Sequence, residues 1–130
     1  MLYHAAVPVG HDQGYDLELT AAADVDELIR LLYLDDAGTA SIQRTEVDPV
    51  LDVQVHDRFG YLMYVGDQMY GYSVGDPDSP DLADLSEVGF PAGTGVPLER
   101  FRAALVEFIT KDGALPSVVE WRPVEQFAGD

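Results

Sequence analysis

At 130 residues the chain has the size of one domain, and 47% hydrophobic residues place it among folded rather than disordered proteins. It has no cysteine, which excludes a disulfide framework, a thiol nucleophile and a Cys-based zinc site, and no apolar run approaches the ~18 residues of a membrane span. Twenty-four acids against seven bases give a formal net charge of −17, a field that repels nucleic acid and anionic membranes and speeds encounter with a basic partner. Residues 1–29 hold six acids and no Lys or Arg, and residues 59–99 hold seven acids and again no base. Six Arg to one Lys, with abundant Ala, Val and Asp, is also the usage of a GC-rich genome. Composition therefore leaves open whether the acidity faces a partner or is proteome background. The start, MLYHAAVPVG, lacks the basic-then-apolar pattern of a signal peptide, so a cytoplasmic location is expected.

In chain order, LYHAAV at 2–7 reads as a strand. In DVDELIRLLYLDD, Val25, Leu28, Ile29 and Leu32 recur at helical spacing and predict an amphipathic helix starting between Thr20 and Asp24. Asp24 and Glu27 have the spacing of a capping box, and Gly38 sits where the helix would stop. The period then changes to two. Ala40 and Ile42 predict one strand, Leu51, Val53 and Val55 a second, YLMYV at 61–65 a third and MYGYSV at 69–74 a fourth. The last two are joined by the short turn Gly66-Asp67-Gln68. Short connections make this an antiparallel meander. Residues 75–95 read as a long loop with a weak strand near Ser86–Phe90. A second helix follows Pro97, with Leu98, Phe101, Leu105, Phe108 and Ile109 on one face. Gly113 suits its C′ position, Pro116 prevents continuation, and SVVEW at 117–121 reads as a final strand. The expected fold is α+β: one domain over 1–130, with an antiparallel sheet of about five to six strands and two amphipathic helices on one face.

Catalytic chemistry finds no foothold in this pattern. His4, His11 and His56 have no zinc-ligand spacing. The run Asp76-x-Asp78-x-x-Asp81 lacks the glycine and terminal Glu of a calcium loop and reads as a solvated acidic loop. Gly93-Thr94-Gly95 precedes a helix, but no Walker lysine follows. His56-Asp57 has no serine in a nucleophile motif, and Glu18, Glu46 or Glu120 as a general acid is what any acidic chain offers. No catalytic residue, metal or cofactor is expected. The hairpin tyrosines Tyr61, Tyr64, Tyr70 and Tyr72 admit cross-strand packing or, on the solvent side, contact anchors. A mixture is expected, one face core and the other binding.

The stretch VPLERFRAALVEFITKDGALPSVVEW resembles the immunity proteins of bacterial polymorphic toxin systems, in particular the tryptophan-containing α+β family often paired with deaminase-type toxins. The matching features are the aromatic-aliphatic helix end Phe108-Ile109, the Gly113-x-x-Pro116 turn and the closing Val119-Glu120-Trp121. GYLMYVGD at 60–67 and SVGD at 73–76 look like the same family's glycine-led hairpin and the strand end after it. The resemblance implies a non-enzymatic, cytoplasmic inhibitor that occludes the active site or basic substrate channel of a cognate toxin, itself a monomer or weak dimer when free. Phe108, Gly113, Pro116 and Trp121 would be signatures of structure, with Trp121 packed mainly between the second helix and the sheet. Toxin contacts are expected at Tyr64, Asp67, Tyr70, Tyr72, Asp76, Asp78, Asp81 and Asp84. The alternatives are a small acidic interaction domain of another cytoplasmic assembly and, third, a small enzyme with a shifted carboxylate or His in a concave pocket.

Overall fold

The computed structural model describes residues 3–10, 13–82 and 89–126. The strands are β1 (Tyr3–Val9), β2 (Gln13–Leu19), β3 (Ala40–Gln43), β4 (Val50–His56), β5 (Phe59–Val65), β6 (Tyr70–Val74), β7 (Gly95–Pro97) and β8 (Glu120–Pro123). The helices are α1 (Ala22–Leu32) and α2 (Leu98–Thr110), and a single 3-10 turn covers Val124–Gln126. All pairings are antiparallel, in the order β2-β1-β3-β4-β5-β6-β8, with β7 also paired to β5. The α+β class and the meander β3 to β6 are as expected, but the sheet is larger than the five to six strands expected. It has eight strands, β2 and β7 being the additions.

The pleat sorts the side chains. Tyr3, Ala5 and Val7, then Ile42, then Leu51, Val53 and Val55, then Leu62 and Tyr64 point to one face. There they join Val25 and Leu28 of α1 and Phe101, Leu105 and Phe108 of α2 in a single core, so both helices cover that face. Gly60 permits the approach, because a Cβ there would sit 2.1 Å from the Phe101 ring. Behind the sheet, Phe59, Tyr61, Met63, Tyr72 and Phe90 form a second, smaller core under the segment after β6. The rest of that side is open, with His4, Ala6 and Ser41 exposed. Asp52 is buried behind β4 and accepts a hydrogen bond from the Ser41 hydroxyl.

Several boundaries differ from the reading of the sequence. Asp24 is not the N-cap of α1. It lies in the first turn, after Ala21, and its carboxylate accepts the backbone N–H groups of Thr20 (2.9 Å) and Ala21 (3.0 Å). Glu27 pairs with Arg30 instead of capping. The helix ends at Leu32, so Gly38 is not its stop, and the Gly38 N–H reaches across to the Pro8 carbonyl. At the end of α2 the C′ position belongs to Asp112 (φ 55°), one residue before Gly113 (φ 76°). The Gly113 N–H closes the helix on the Phe108 carbonyl at 2.9 Å, the longer bond of a Schellman motif. The final strand is displaced from 117–121 to Glu120–Pro123. Of the weak strand near 86–90, residues 86–88 lie outside the described set, and Phe90 forms a lone bridge to Leu82.

Because Leu105 and Phe108 are fully buried, Leu105→Ala or Phe108→Ala should each cost about 2–5 kcal/mol in urea unfolding. Trp121 is only partly buried, so Trp121→Ala should cost less than either. A Trp121→Ala loss equal to that of Phe108→Ala would show that its ring carries a full share of the core.

Candidate functional site

The hairpin β5–β6 carries the tyrosines expected to divide between core and contact. Three of the four turn inward and spend their hydroxyls on loop carbonyls. Tyr64 donates to the Gly113 carbonyl at 2.6 Å, Tyr61 to Pro80 at 2.7 Å and Tyr72 to Gly89 at 2.8 Å. Tyr64 is 0% exposed and Tyr72 8%, which removes both from the contact set and corrects that expectation. The cause is the pleat: alternate positions face two cores, one on each side of the sheet, rather than a core and solvent. Of the four, only Tyr70, 57% exposed, presents its ring to solvent.

The signature residues of the C-terminal third surround the Tyr64 hydroxyl. The ring of Tyr64 packs edge-on to Phe108 (6.1 Å) and Trp121 (5.9 Å). The Trp121 indole N–H donates to the Pro116 carbonyl at 2.8 Å. Gln68 of the hairpin turn accepts the Leu115 N–H at 3.2 Å, and Glu107 of α2 accepts the Ser117 N–H at 2.9 Å. The Gly-x-x-Pro turn is thus tied to sheet and helix by aromatic tips and amides. Trp121 is partly buried against the helix-side core.

The described residues after β6 are also tied by hydrogen bonds. The Asp76 carboxylate accepts the Asp78 N–H at 2.8 Å, and the Asp76 carbonyl takes both the N–H (3.0 Å) and hydroxyl (2.7 Å) of Ser79. That is a turn built from its own backbone, not a calcium loop. The amides of Gly93 and Gly95 go to the carbonyl and hydroxyl of Ser79, and that of Thr94 to the Pro91 carbonyl, leaving no amide nest for phosphate. Gly75 matters here, because a Cβ on it would lie 2.0 Å from the Gly95 carbonyl oxygen.

What remains at the surface is charge. Asp67 lies in the hairpin turn beside Tyr70, whereas Asp76, Asp78 and Asp81 lie past the other end of β6, a strand of roughly 17 Å. The expected contact residues therefore form two groups rather than one, and Asp84 lies outside the described residues. Among the described residues no ion pair involves Asp67, Asp76, Asp78 or Asp81. The acids of α1 are different. Asp26 is bidentate to Arg102 of α2 (2.6 and 3.1 Å), Glu27 holds Arg30, and Asp24 accepts the N–H groups of Thr20 and Ala21, so the partners of each carboxylate pull its pKa below the ordinary range.

The sites of possible chemistry stay dispersed. Glu18 and Glu120 sit on opposite edge strands, and β3 separates His4 on β1 from His56 on β4. His11 lies outside the described residues. Among the described residues no group of three His, Asp or Glu side chains could hold a metal ion, and no helix is long and apolar enough to cross a membrane. A cleft that the sequence did not reveal lies between the hairpin turn and the α2–β8 loop, with Asp48, Asp67 and Asp112 on its walls. The position of Asp112, one residue past the C-cap Lys111 of α2, was the available signal.

Compared with known families, residues 13–123 match the family of immunity protein Imm1. The chain belongs to the Imm1 family. It is accordingly an immunity protein that neutralises a cognate toxin, and the matched span takes in every strand but β1 and both helices. No curated protein and no solved structure gives a significant match. For this Imm1 chain the signature Gly113, Pro116 and Trp121 are read best as fasteners of one loop.

Two outcomes test this picture. Tyr61→Phe and Tyr72→Phe should each cost about 0.5–1.5 kcal/mol, while Tyr64→Phe, which strips the buried Gly113 carbonyl of its donor, should cost about 1–3 kcal/mol. Urea titrations of the three variants should rank them in that order. Asp52 responds to pH. Burial pushes its carboxyl above the ordinary value, partly offset by the Ser41 hydroxyl, so the folded chain binds its proton more readily than the unfolded chain. Asp52 therefore adds stability as pH falls from neutral through the raised pKa toward the unfolded value. Asp52→Asn should raise Tm at pH 7 and remove that component of the pH dependence. An unchanged difference between variant and wild type across pH 4–7 would rule the carboxyl out as its source.

Proposed function

We propose that this immunity protein acts without catalysis in the cytoplasm, as a monomer or weak dimer when free, against a deaminase or other toxin that attacks nucleic acid. In this reading one domain over 1–130 seats its acidic surface on the basic channel of the toxin and excludes substrate there. The contact residues are Asp67 and Tyr70 at one end of β6 and Asp76, Asp78 and Asp81 at the other, with Asp84, which lies outside the described residues, as a further contact. The observation that carries the proposal is the division of the acids. Those on α1 are engaged inside the fold, and those flanking β6 have no counter-ion among the described residues. An enzyme acting on nucleic acid must line its path with positive charge, and in a deaminase the target base must enter a zinc-bearing pocket. Carboxylates at that path replace phosphate and meet Arg or Lys through charge-assisted hydrogen bonds. Tyr70 adds an aromatic anchor at low entropic cost.

The variants should respect the local structure. Asp76→Asn keeps the turn to Asp78, and Asp78→Lys, Asp81→Lys and Asp84→Lys reverse the rest. This set should slow association with the toxin at least tenfold at low salt and flatten the salt dependence of the on-rate, with dissociation changing little. A comparable charge change at Asp16, Glu18 and Glu46, near the far edge of the sheet, should slow association much less. Equal losses from both sets would reduce the acidity to nonspecific steering, and a larger loss from the far set would move the contact face away from β6.

A further inference from the structure

Membership of an immunity family means that this chain has a protein partner, and a tight protein interface needs an apolar centre from which water is excluded. Carboxylates alone supply steering and register rather than that centre. Among the described residues the exposed large apolar side chains are Tyr15, Tyr33, Val47, Val65, Tyr70 and Val118. Tyr15 is on the edge strand β2, Tyr33 follows α1 with its hydroxyl on the Asp57 carbonyl, and Val118 is in the α2–β8 loop. The other three share the hairpin-turn end of the sheet. Val65 and Tyr70 flank the turn, and Val47 lines the cleft beside it with Asp67.

Strand register makes two of them part of a stripe. Val50 of β4 stands opposite Val65 of β5, and Val65 opposite Tyr70 of β6. Their neighbours Leu51 and Tyr64 point into the helix-side core, whereas Tyr72, two residues from Tyr70, points into the smaller core behind the sheet. By the alternation of the pleat, Val50, Val65 and Tyr70 therefore lie side by side on the back of the sheet, with opposed Cβ atoms about 4.5–5.5 Å apart. The smaller core ends at the next pair along, Met63 and Tyr72. Val65 and Tyr70 remain 36% and 57% exposed. The margin toward the turn is acidic. Asp67 and Glu46 of the two adjoining loops have no ion pair among the described residues, and Arg44 is held by Asp48 and Asp112. Arg122 stands opposite Tyr72, level with the smaller core rather than with the stripe.

We propose that Val50, Val65 and Tyr70 are the apolar centre of the interface with the cognate toxin, which sets on them an apolar side chain with Arg or Lys beside it. The apolar group covers the stripe and the base meets Asp67 at its margin, where exclusion of water strengthens the pair. Val and Tyr suit such a centre, because a β-branched or aromatic side chain has little rotamer freedom to lose. The proposal rests on the reading above that the contact lies beside β6. It deepens that reading by assigning the face of the sheet and dividing the roles: the acids set the rate of encounter, and the stripe sets how long the complex lasts.

The test uses the full chain and the purified toxin domain encoded beside its gene. Val65→Thr with Tyr70→Thr removes the apolar surface but keeps residues that favour strands. This pair should leave the association rate within about twofold of wild type and speed dissociation, with at least a roughly tenfold loss of affinity. Tyr15→Thr with Val118→Thr removes exposed apolar surface elsewhere and should change affinity less than about twofold. A dissociation rate unchanged by the first pair, or raised as much by the second, would overturn the proposal. A measurement on the wild-type complex does not depend on any variant folding. Cross-saturation from the toxin should reach the methyl groups of Val50 and Val65, and methyls that stay unsaturated would also overturn it. The outcomes separate the two readings. If the acid variants at β6 slow association while the stripe variants change nothing, steering stands and the stripe alone fails. If the acid variants have no effect either, the contact lies away from β6 and both readings fall.

Discussion

Three phenol hydroxyls on one hairpin hold the two long connections of this protein against its sheet. Tyr61 and Tyr72 reach backward to the carbonyls of Pro80 and Gly89, and Tyr64 reaches forward to Gly113. Each satisfies a carbonyl that lies outside any helix or ladder, and at the buried Gly113 an unpaired acceptor would be costly. Much follows from these bonds. Phe90 stands against both Tyr61 and Tyr72, at 5.7 and 5.9 Å, so the backward pair also seats the smaller core. The forward bond fixes the loop whose other tie is the Trp121 indole on Pro116. A residue in this hairpin therefore carries two duties, apolar packing through the ring and polar closure through its tip.

How much of this was legible depended on the kind of signal. The helix α2 could be read because Phe101, Leu105, Phe108 and Ile109 repeat at helical spacing, and the core follows that spacing. The strand β2 could also have been read, since Tyr15, Leu17 and Leu19 alternate with Gly14, Asp16 and Glu18. Its exposed edge position and its glycine weakened the pattern. A strand as short as Gly95–Pro97 has no period to detect, and it exists only because Phe59–Tyr61 offers it an edge. The tyrosines misled for a different reason. Period two states that neighbours face opposite sides, but not that both sides are covered. The second cover comes from Phe90 and Leu82, with Val124, and the first two lie in a stretch whose composition reads as loop. The shift from Gly113 to Asp112 at C′ has a similar origin, because two consecutive residues adopt positive φ and glycine was the more obvious of them.

The bases of this family member are few, and their placement is selective. Among so few bases, the described ion pairs draw on Arg30, Arg44 and Arg102, each fixing one part of the frame: α1 itself, the α2–β8 loop, and the contact between helices. Cations are the scarce component, and the fold places them where architecture requires them. The carboxylates left without an ion pair among the described residues lie both at the two ends of β6 and elsewhere, as at Asp16, Glu18 and Glu46.

The order of strands in the sheet has a kinetic consequence. From β3 to β6 every strand pairs with its neighbour in sequence, and β1 with β2 likewise, so these pairings close short loops. The docking of β1 on β3, of β7 on β5 and of β8 on β6 brings together distant segments. Hairpins with such local wiring lose little loop entropy before contacts repay it, and they can form first and offer edges to the distant strands. For a cell that makes a toxin and its antidote together, speed of folding is itself protection, because an antidote still unfolded when the toxin is ready neutralises nothing.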